Sequence, residues 1–153
     1  MAPDLSPNAA RFEPLDPTRR AYWDQWLAGD DPAWSRIVGF HLEEVRADYA
    51  RLRLPYRDDL RQPAGVVHGG VIATLIDSVV VPAIGSGYEE RPPMLTVNML
   101  VSYLGAVVEQ DAVAEGWVVR RGRSLVFCRA EVRTGDDGAL VATGDLVYKV
   151  SSG

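Results

Sequence analysis

The residues best suited to chemistry lie in one short stretch, Gln62-Pro63-Ala64-Gly65-Val66-Val67-His68-Gly69-Gly70, followed by an apolar run that carries a single acid, Asp77. Gly69 and Gly70 ahead of a helix let a substrate approach the backbone closely, and a helix start leaves several N–H groups without intrahelical partners. Those donors, at the positive end of the helix dipole, suit an oxygen that gains negative charge during a reaction. An ionised carboxylate is costly to enclose in an apolar helix, so Asp77 must either be protonated or reach a polar cleft. In a cleft it has a use as general base or nucleophile toward an activated acyl group; its bland reading is a structural acid with a buried partner. His68 likewise has two readings, a general base or a ring that bonds to backbone and shapes the turn presenting Gly69.

Gln-Pro-x-Gly-x-x-His-Gly-Gly with an acid nine residues after the histidine resembles the hotdog-fold acyl-CoA thioesterases of the phenylacetate-pathway type. The resemblance implies Asp77 as base or nucleophile and the Gly69 N–H as the group that polarises the thioester carbonyl. It implies that Gln62, standing where the family usually carries Asn, orients water or the carboxylate. It also implies that Thr96, a hydroxyl residue at the start of the strand after the helix, assists. The expected reaction is hydrolysis of an acyl-CoA thioester to free acid and coenzyme A, with no metal or redox cofactor. The expected assembly is a homodimer or a dimer of dimers.

The elements that must position these residues follow from periodicity. Asp16 can cap a helix that starts at Pro17 and runs past Trp26 and Leu27 toward Gly29. Alternation over Ile37 to Val45 and Tyr49 to Tyr56, clearest in Ala50, Leu52 and Leu54 against Arg51 and Arg53, predicts two half-buried strands. Val71 to about Ala83 is apolar nearly all round, which predicts an enclosed helix. Four more strands are expected at Leu95 to Leu104, Ala112 to Arg121, Leu125 to Arg133 and Leu140 to Val150, with a hairpin turn at Gly135 to Gly138. The order gives an α+β fold, a curved antiparallel sheet wrapped around one hydrophobic helix, and its sheet edges invite pairing across a dimer axis. Residues 1–16 are expected to form a flexible leader and 17–153 a single domain.

Helix geometry adds a constraint. Gly69 and Asp77 are eight residues apart, about 12 Å along one helix, so one carbonyl group cannot meet both. Two copies with antiparallel central helices would bring Gly69 of one beside Asp77 of the other, twice over.

At 153 residues, 47% hydrophobic and 24% charged, the chain is one ordinary domain in size. A net charge of -5 disfavours nucleic acid and anionic membrane surfaces as partners. Arg120, Arg121 and Arg123, with Ser124 beside them, either hold the phosphates of coenzyme A or form a solvated turn. One cysteine, Cys128, cannot make an internal disulfide and reads as a small buried hydrophobe; with only His41 and His68 beside it, a metal cluster is short of ligands. The apolar stretch from Val71 to Ile84 is broken by Asp77 and Pro82 and is too short for a membrane span, and residues 1–16 lack a secretory core, so a cytoplasmic location is expected. Two rival functions use the same fold. A non-catalytic acyl-CoA binding module would release no thiol, and a dehydratase would need a catalytic pairing that His41, outside the glycine motif, does not supply.

Overall fold

The computed structural model describes residues 6–27, 34–135 and 138–151. Its helices are α1 (Pro17–Asp24), α2 (Trp34–Val38) and α3 (Gly69–Gly85), and its strands are β1 (His41–Arg46), β2 (Tyr49–Leu54), β3 (Met94–Tyr103), β4 (Ala112–Arg121), β5 (Leu125–Thr134) and β6 (Leu140–Val150). The six strands form one antiparallel sheet in the order β1-β2-β4-β5-β6-β3. This is the hotdog fold: the sheet curves around α3, which packs chiefly on β4, β2 and β5.

Composition explains the wrap. Along α3, Ile72, Leu75, Ile76, Val79, Val80, Ala83 and Ile84 are buried against inward-facing residues such as Leu52, Leu54, Ala114, Val126, Ala130 and Val132. The helix comes in close because Gly116 on β4 and Gly144 on β6 have no side chains; a carbon on either would collide with Val79 or Ile76. Pro82 sits inside α3 without ending it, and its carbonyl accepts from the Ser86 N–H at 2.9 Å where the last turn closes.

The strand sequence of β3 contains the feature that matters most for the site. Thr96 pairs with Tyr148 of β6, but the next pair is Asn98 with Val147, so Val97 is an extra, bulged residue. Thr96 and Tyr103 are seven apart and would face opposite ways in a regular strand. The bulge reverses the phase, and both reach α3, Thr96 at Asp77 and Tyr103 at Gly69.

Three expectations need correction. Ile37 to Phe40 does not start a strand: residues 34–38 form α2, whose last carbonyls, Ile37 O and Val38 O, accept from Arg57 at 3.2 and 2.8 Å. A cation at a helix C-terminus is stabilising, and β1 begins only at His41. The helix after Asp16 is shorter than expected. The cap is present, with Asp16 Oδ1 accepting from Thr18 and Arg19 N–H at 3.0 and 3.1 Å, but Trp26 and Leu27 lie in the following turn. The segment from Ser6 to Asp16 is not loose: Phe12 stacks on Tyr49 at 5.4 Å, Ala9 is fully buried, and Asn8 donates to Glu115 at 3.1 Å. These contacts cover the outer face of β2 and β4 around Trp117. Gly29, Asp136 and Asp137, which figured in the expected helix stop and hairpin turn, lie outside the described residues.

Candidate active site

His68 starts α3 from an extended backbone conformation, and its ring Nδ1 accepts from the Gly70 N–H at 2.8 Å. The ring is therefore the cap of the helix, with its remaining proton on Nε2. The His68 carbonyl accepts from Val71 N at 2.9 Å, and its N–H donates to Leu60 O at 2.8 Å. The Gly69 N–H, between these satisfied groups, has no acceptor among the described residues. Its carbonyl does: Tyr103 OH donates to Gly69 O at 2.7 Å. The turn thus presents one free donor, that of Gly69, while the Gly70 donor is already used by His68.

Gln62 closes its own loop. Its side-chain Oε1 accepts from Ala64 N at 2.9 Å, its backbone N–H donates to Val66 O at 2.9 Å, and its carbonyl accepts from Gly65 N at 2.9 Å. Within one chain it does not meet Asp77.

Asp77 lies half-buried near the middle of α3, one face of the carboxylate turned to the sheet. Two hydroxyls donate to the same oxygen, Thr96 Oγ1 to Oδ1 at 2.9 Å and Tyr148 OH to Oδ1 at 2.6 Å. The Tyr148 hydroxyl also lies 2.8 Å from the Asp77 carbonyl, so its proton is shared between backbone and side chain. Tyr148 is only 3% exposed, and burial, reinforced by the bond to Asp77, pushes its phenol well above the ordinary tyrosine range. It remains a proton donor toward the carboxylate at any physiological pH. Thr96, its cross-strand partner, is exposed.

Sequence reasoning missed Tyr148. The signal was available in β6, where alternation puts Leu146, Tyr148 and Val150 on the buried face, and a tyrosine on such a face needs a partner for its hydroxyl.

The arginine cluster divides. Arg121 turns inward: its guanidinium binds Asp48, donates to Ile84 O at 3.1 Å and lies 4.8 Å over the Tyr88 ring. It ties the end of α3 to the β1–β2 turn and is not displayed for phosphates, which corrects its expected role. Arg120 and Arg123 are exposed at the β4–β5 turn. Ser124, also exposed, uses its carbonyl to accept from Val150 N at 2.8 Å. Cys128 is buried on the inner face of β5, and burial pushes its thiol up to about 12, which leaves it a packing residue. His41 sits exposed at the start of β1, away from the glycine turn.

The fold and the sequence find parallels in known proteins. A family model described as the thioesterase superfamily matches residues 64–141. A candidate esterase of Halobacterium salinarum is 32% identical over 115 residues, covering 72% of this chain and 76% of its own length. Acyl-coenzyme A thioesterase 13 of Mus musculus is 30% identical over 81 residues, covering 52% of this chain and 57% of the mouse protein. Among solved structures, a conserved protein of Pseudomonas aeruginosa superposes with a TM-score of 0.73 at 30% identity, covering 78% of this chain and 94% of that one. The E. coli PaaI protein from the phenylacetic acid degradation operon reaches 0.77 at 14% identity, over 87% and 94% of the two chains, a likeness of fold. By the family match and the Halobacterium relative together, the chain belongs to the thioesterase superfamily.

Proposed function

We propose that this protein is an acyl-CoA thioesterase that hydrolyses an acyl-CoA thioester to the free acid and coenzyme A. The observation that carries the reading is the state of Asp77: a half-buried carboxylate on an otherwise uncharged helix, steadied on one oxygen by Thr96 and Tyr148 and with no ion-pair partner among the described residues. A charge placed at such cost, with hydroxyl donors only, suits a group that must act on a substrate.

In the mechanism we favour, the thioester carbonyl oxygen sits on the Gly69 N–H at the positive end of α3. Asp77 either takes a proton from water as the water oxygen adds to the carbonyl carbon, or adds itself to give an acyl-enzyme that water then cleaves. The tetrahedral oxyanion returns its electron pair, the carbon–sulfur bond breaks, and the thiolate of coenzyme A leaves and takes up a proton. Gln62 belongs to this scheme as a neighbour of the second copy's carboxylate, and Arg120 and Arg123 as contacts for the coenzyme's phosphates. Because Gly69 and Asp77 are separated along α3, the working unit is a homodimer or homotetramer in which each site takes Gly69 from one copy and Asp77 from another. The exposed edge of β3, with Leu95 at 70% and Leu100 at 63% exposure, is the surface we assign to pairing. Among the described residues no helix is long and apolar enough to cross a membrane. We place the enzyme in the cytoplasm, where a reduced Cys128 is at home.

The test is release of free thiol from a panel of short, long and aryl acyl-CoAs. Turnover on at least one substrate, lost by a hundredfold or more in a folded Asp77→Asn variant, supports the reading. Tight binding of acyl-CoA with no thiol released would instead make the protein a binding module.

A further inference from the structure

Both hydroxyls that meet Asp77 land on Oδ1, and none of the described residues donates to Oδ2. The two hydroxyls differ in one respect that matters for energetics. Thr96 is exposed, so water can replace its bond if the hydroxyl is removed. Tyr148 is enclosed among core residues, paired with Thr96 on one side and Val126 on the other, and its hydroxyl reaches both the carboxylate and the carbonyl of residue 77. Tyr148 is only 3% exposed, so a hydroxyl lost there leaves two acceptors short of a buried donor. A bond that spans the side chain and the backbone of one residue also fixes the torsion between them. The phenol thereby sets which carboxylate oxygen faces the sheet and which faces the open side of α3.

We infer that Tyr148 is the principal positioning residue of the site: its hydroxyl clamps Oδ1 of Asp77 against β6, so that Oδ2 is the oxygen that meets water or the acyl carbon. This rests on the thioesterase reading for its consequence in turnover, though not for its consequence in geometry. It also reverses the emphasis implied by the family resemblance, in which the hydroxyl at position 96 is the helper. Thr96 becomes the minor of the two donors.

The experiment compares Tyr148→Phe, which keeps the ring and removes only the hydroxyl, with Thr96→Val in steady-state turnover of the best acyl-CoA. Tyr148→Phe should lower kcat by about 10- to 100-fold while KM moves less than about threefold, because the ground-state contacts of the substrate are untouched. Thr96→Val should lower kcat only a few-fold. In an Asp77→Asn background, Tyr148→Phe should cost nothing further, since two residues that act as one unit are not additive. A buried tyrosine needed only for folding would instead lower the melting temperature and leave kcat per folded molecule unchanged. Near wild-type kcat in Tyr148→Phe, or a larger loss in Thr96→Val, overturns the inference. A crystal structure of Tyr148→Phe reads the geometry without any assay. A carboxylate rotated away from its wild-type orientation supports the clamp, and an unmoved one refutes it. If the wild-type protein releases no thiol from any acyl-CoA, the thioesterase reading falls and the clamp is judged by that structure alone.

Discussion

At the scale of single residues, hydrogen bonds around the candidate site leave the Gly69 N–H and Asp77 Oδ2 without partners among the described residues. His68 consumes the Gly70 donor and so singles out that of Gly69. Replacing His68 by Ala removes a helix cap, which typically costs about 1 kcal/mol. For a domain of this size that is a fall of about 2–4 °C in melting temperature, measurable by calorimetry. Turnover should drop further than stability does, because the Gly69–Gly70 turn loses its brace. Full kcat in His68→Ala would show that the ring has no part in presenting Gly69. Cys128 allows a prediction of pH dependence. Its folded-state pKa is about 12 against an ordinary value of 9.0. Below pH 9 both states carry the protonated thiol and nothing is lost. As pH climbs from 9 to 12 the unfolded chain ionises and the native one does not, so folding stability declines. Tyr49 and Tyr148, whose buried phenols are also pushed upward, add to the decline at the alkaline end. Denaturant melts should show Cys128→Ala losing less stability than wild type between those two pH values; identical slopes would contradict the burial of the thiol.

At the scale of elements, what could be seen in the sequence was what local pattern controls. The apolar run from Val71 to Ala83 marked α3, strand-like runs at roughly ten-residue spacing marked β4, β5 and β6 almost to the residue, and the Asp16-Pro17 start of α1 was explicit. Long-range partnerships were not visible. The bulge at Val97 leaves no mark in composition, yet it determines that Thr96 and Tyr103 share a face. Ile37 to Phe40 looked like part of an alternating strand because nothing local says that Arg57, some twenty residues on, will hold the carbonyls of a short helix. Of the candidate site, Gly69 and Asp77 stood out as part of a motif and Thr96 only through the resemblance, whereas Tyr148 was hidden by its distance in sequence. Arg121 shows the same limit from the other side. In sequence it stands with Arg120 and Arg123, but the fold spends it on Asp48, Tyr88 and the end of α3. Arg121→Met should therefore destabilise the protein by about 1–3 kcal/mol, since a partly buried carboxylate and a carbonyl lose their donor. The pair Arg120→Ala and Arg123→Ala should leave the melting temperature within about a degree and raise KM for acyl-CoA, most at low salt, without changing hydrolysis of a truncated thioester that lacks the nucleotide. Equal effects on both substrates would remove these two arginines from the coenzyme's binding surface.

At the scale of the whole molecule, the proposed mechanism needs a second copy of the chain. The hydrophobic core closes within one chain, but the donor and the carboxylate to which we assign the chemistry, Gly69 N–H and Asp77, are about 12 Å apart along α3, and the β3 edge exposes apolar side chains and has no strand partner on its outer side. Pairing of two copies through that edge, with antiparallel α3 helices, would complete two sites at once. A charged residue in that edge, Leu100→Lys, should lower the solution mass and the turnover together, whereas a fall in mass with full activity would place the whole site within one chain. The most direct measurement uses two variants, each defective in one half. Asp77→Asn lacks the acid, and Gly69→Pro lacks the N–H at a helix start, where proline is tolerated; Gly69 does not have the positive φ that would bar it. Each homodimer, shown to be folded and dimeric, should be inactive in thiol release. Co-expressed in equal amounts, random pairing makes about half of the dimers mixed, each with one intact site of its two, so roughly a quarter of wild-type activity should return. No recovery in a mixture shown to contain mixed dimers would contradict a site built from Gly69 of one copy and Asp77 of the other.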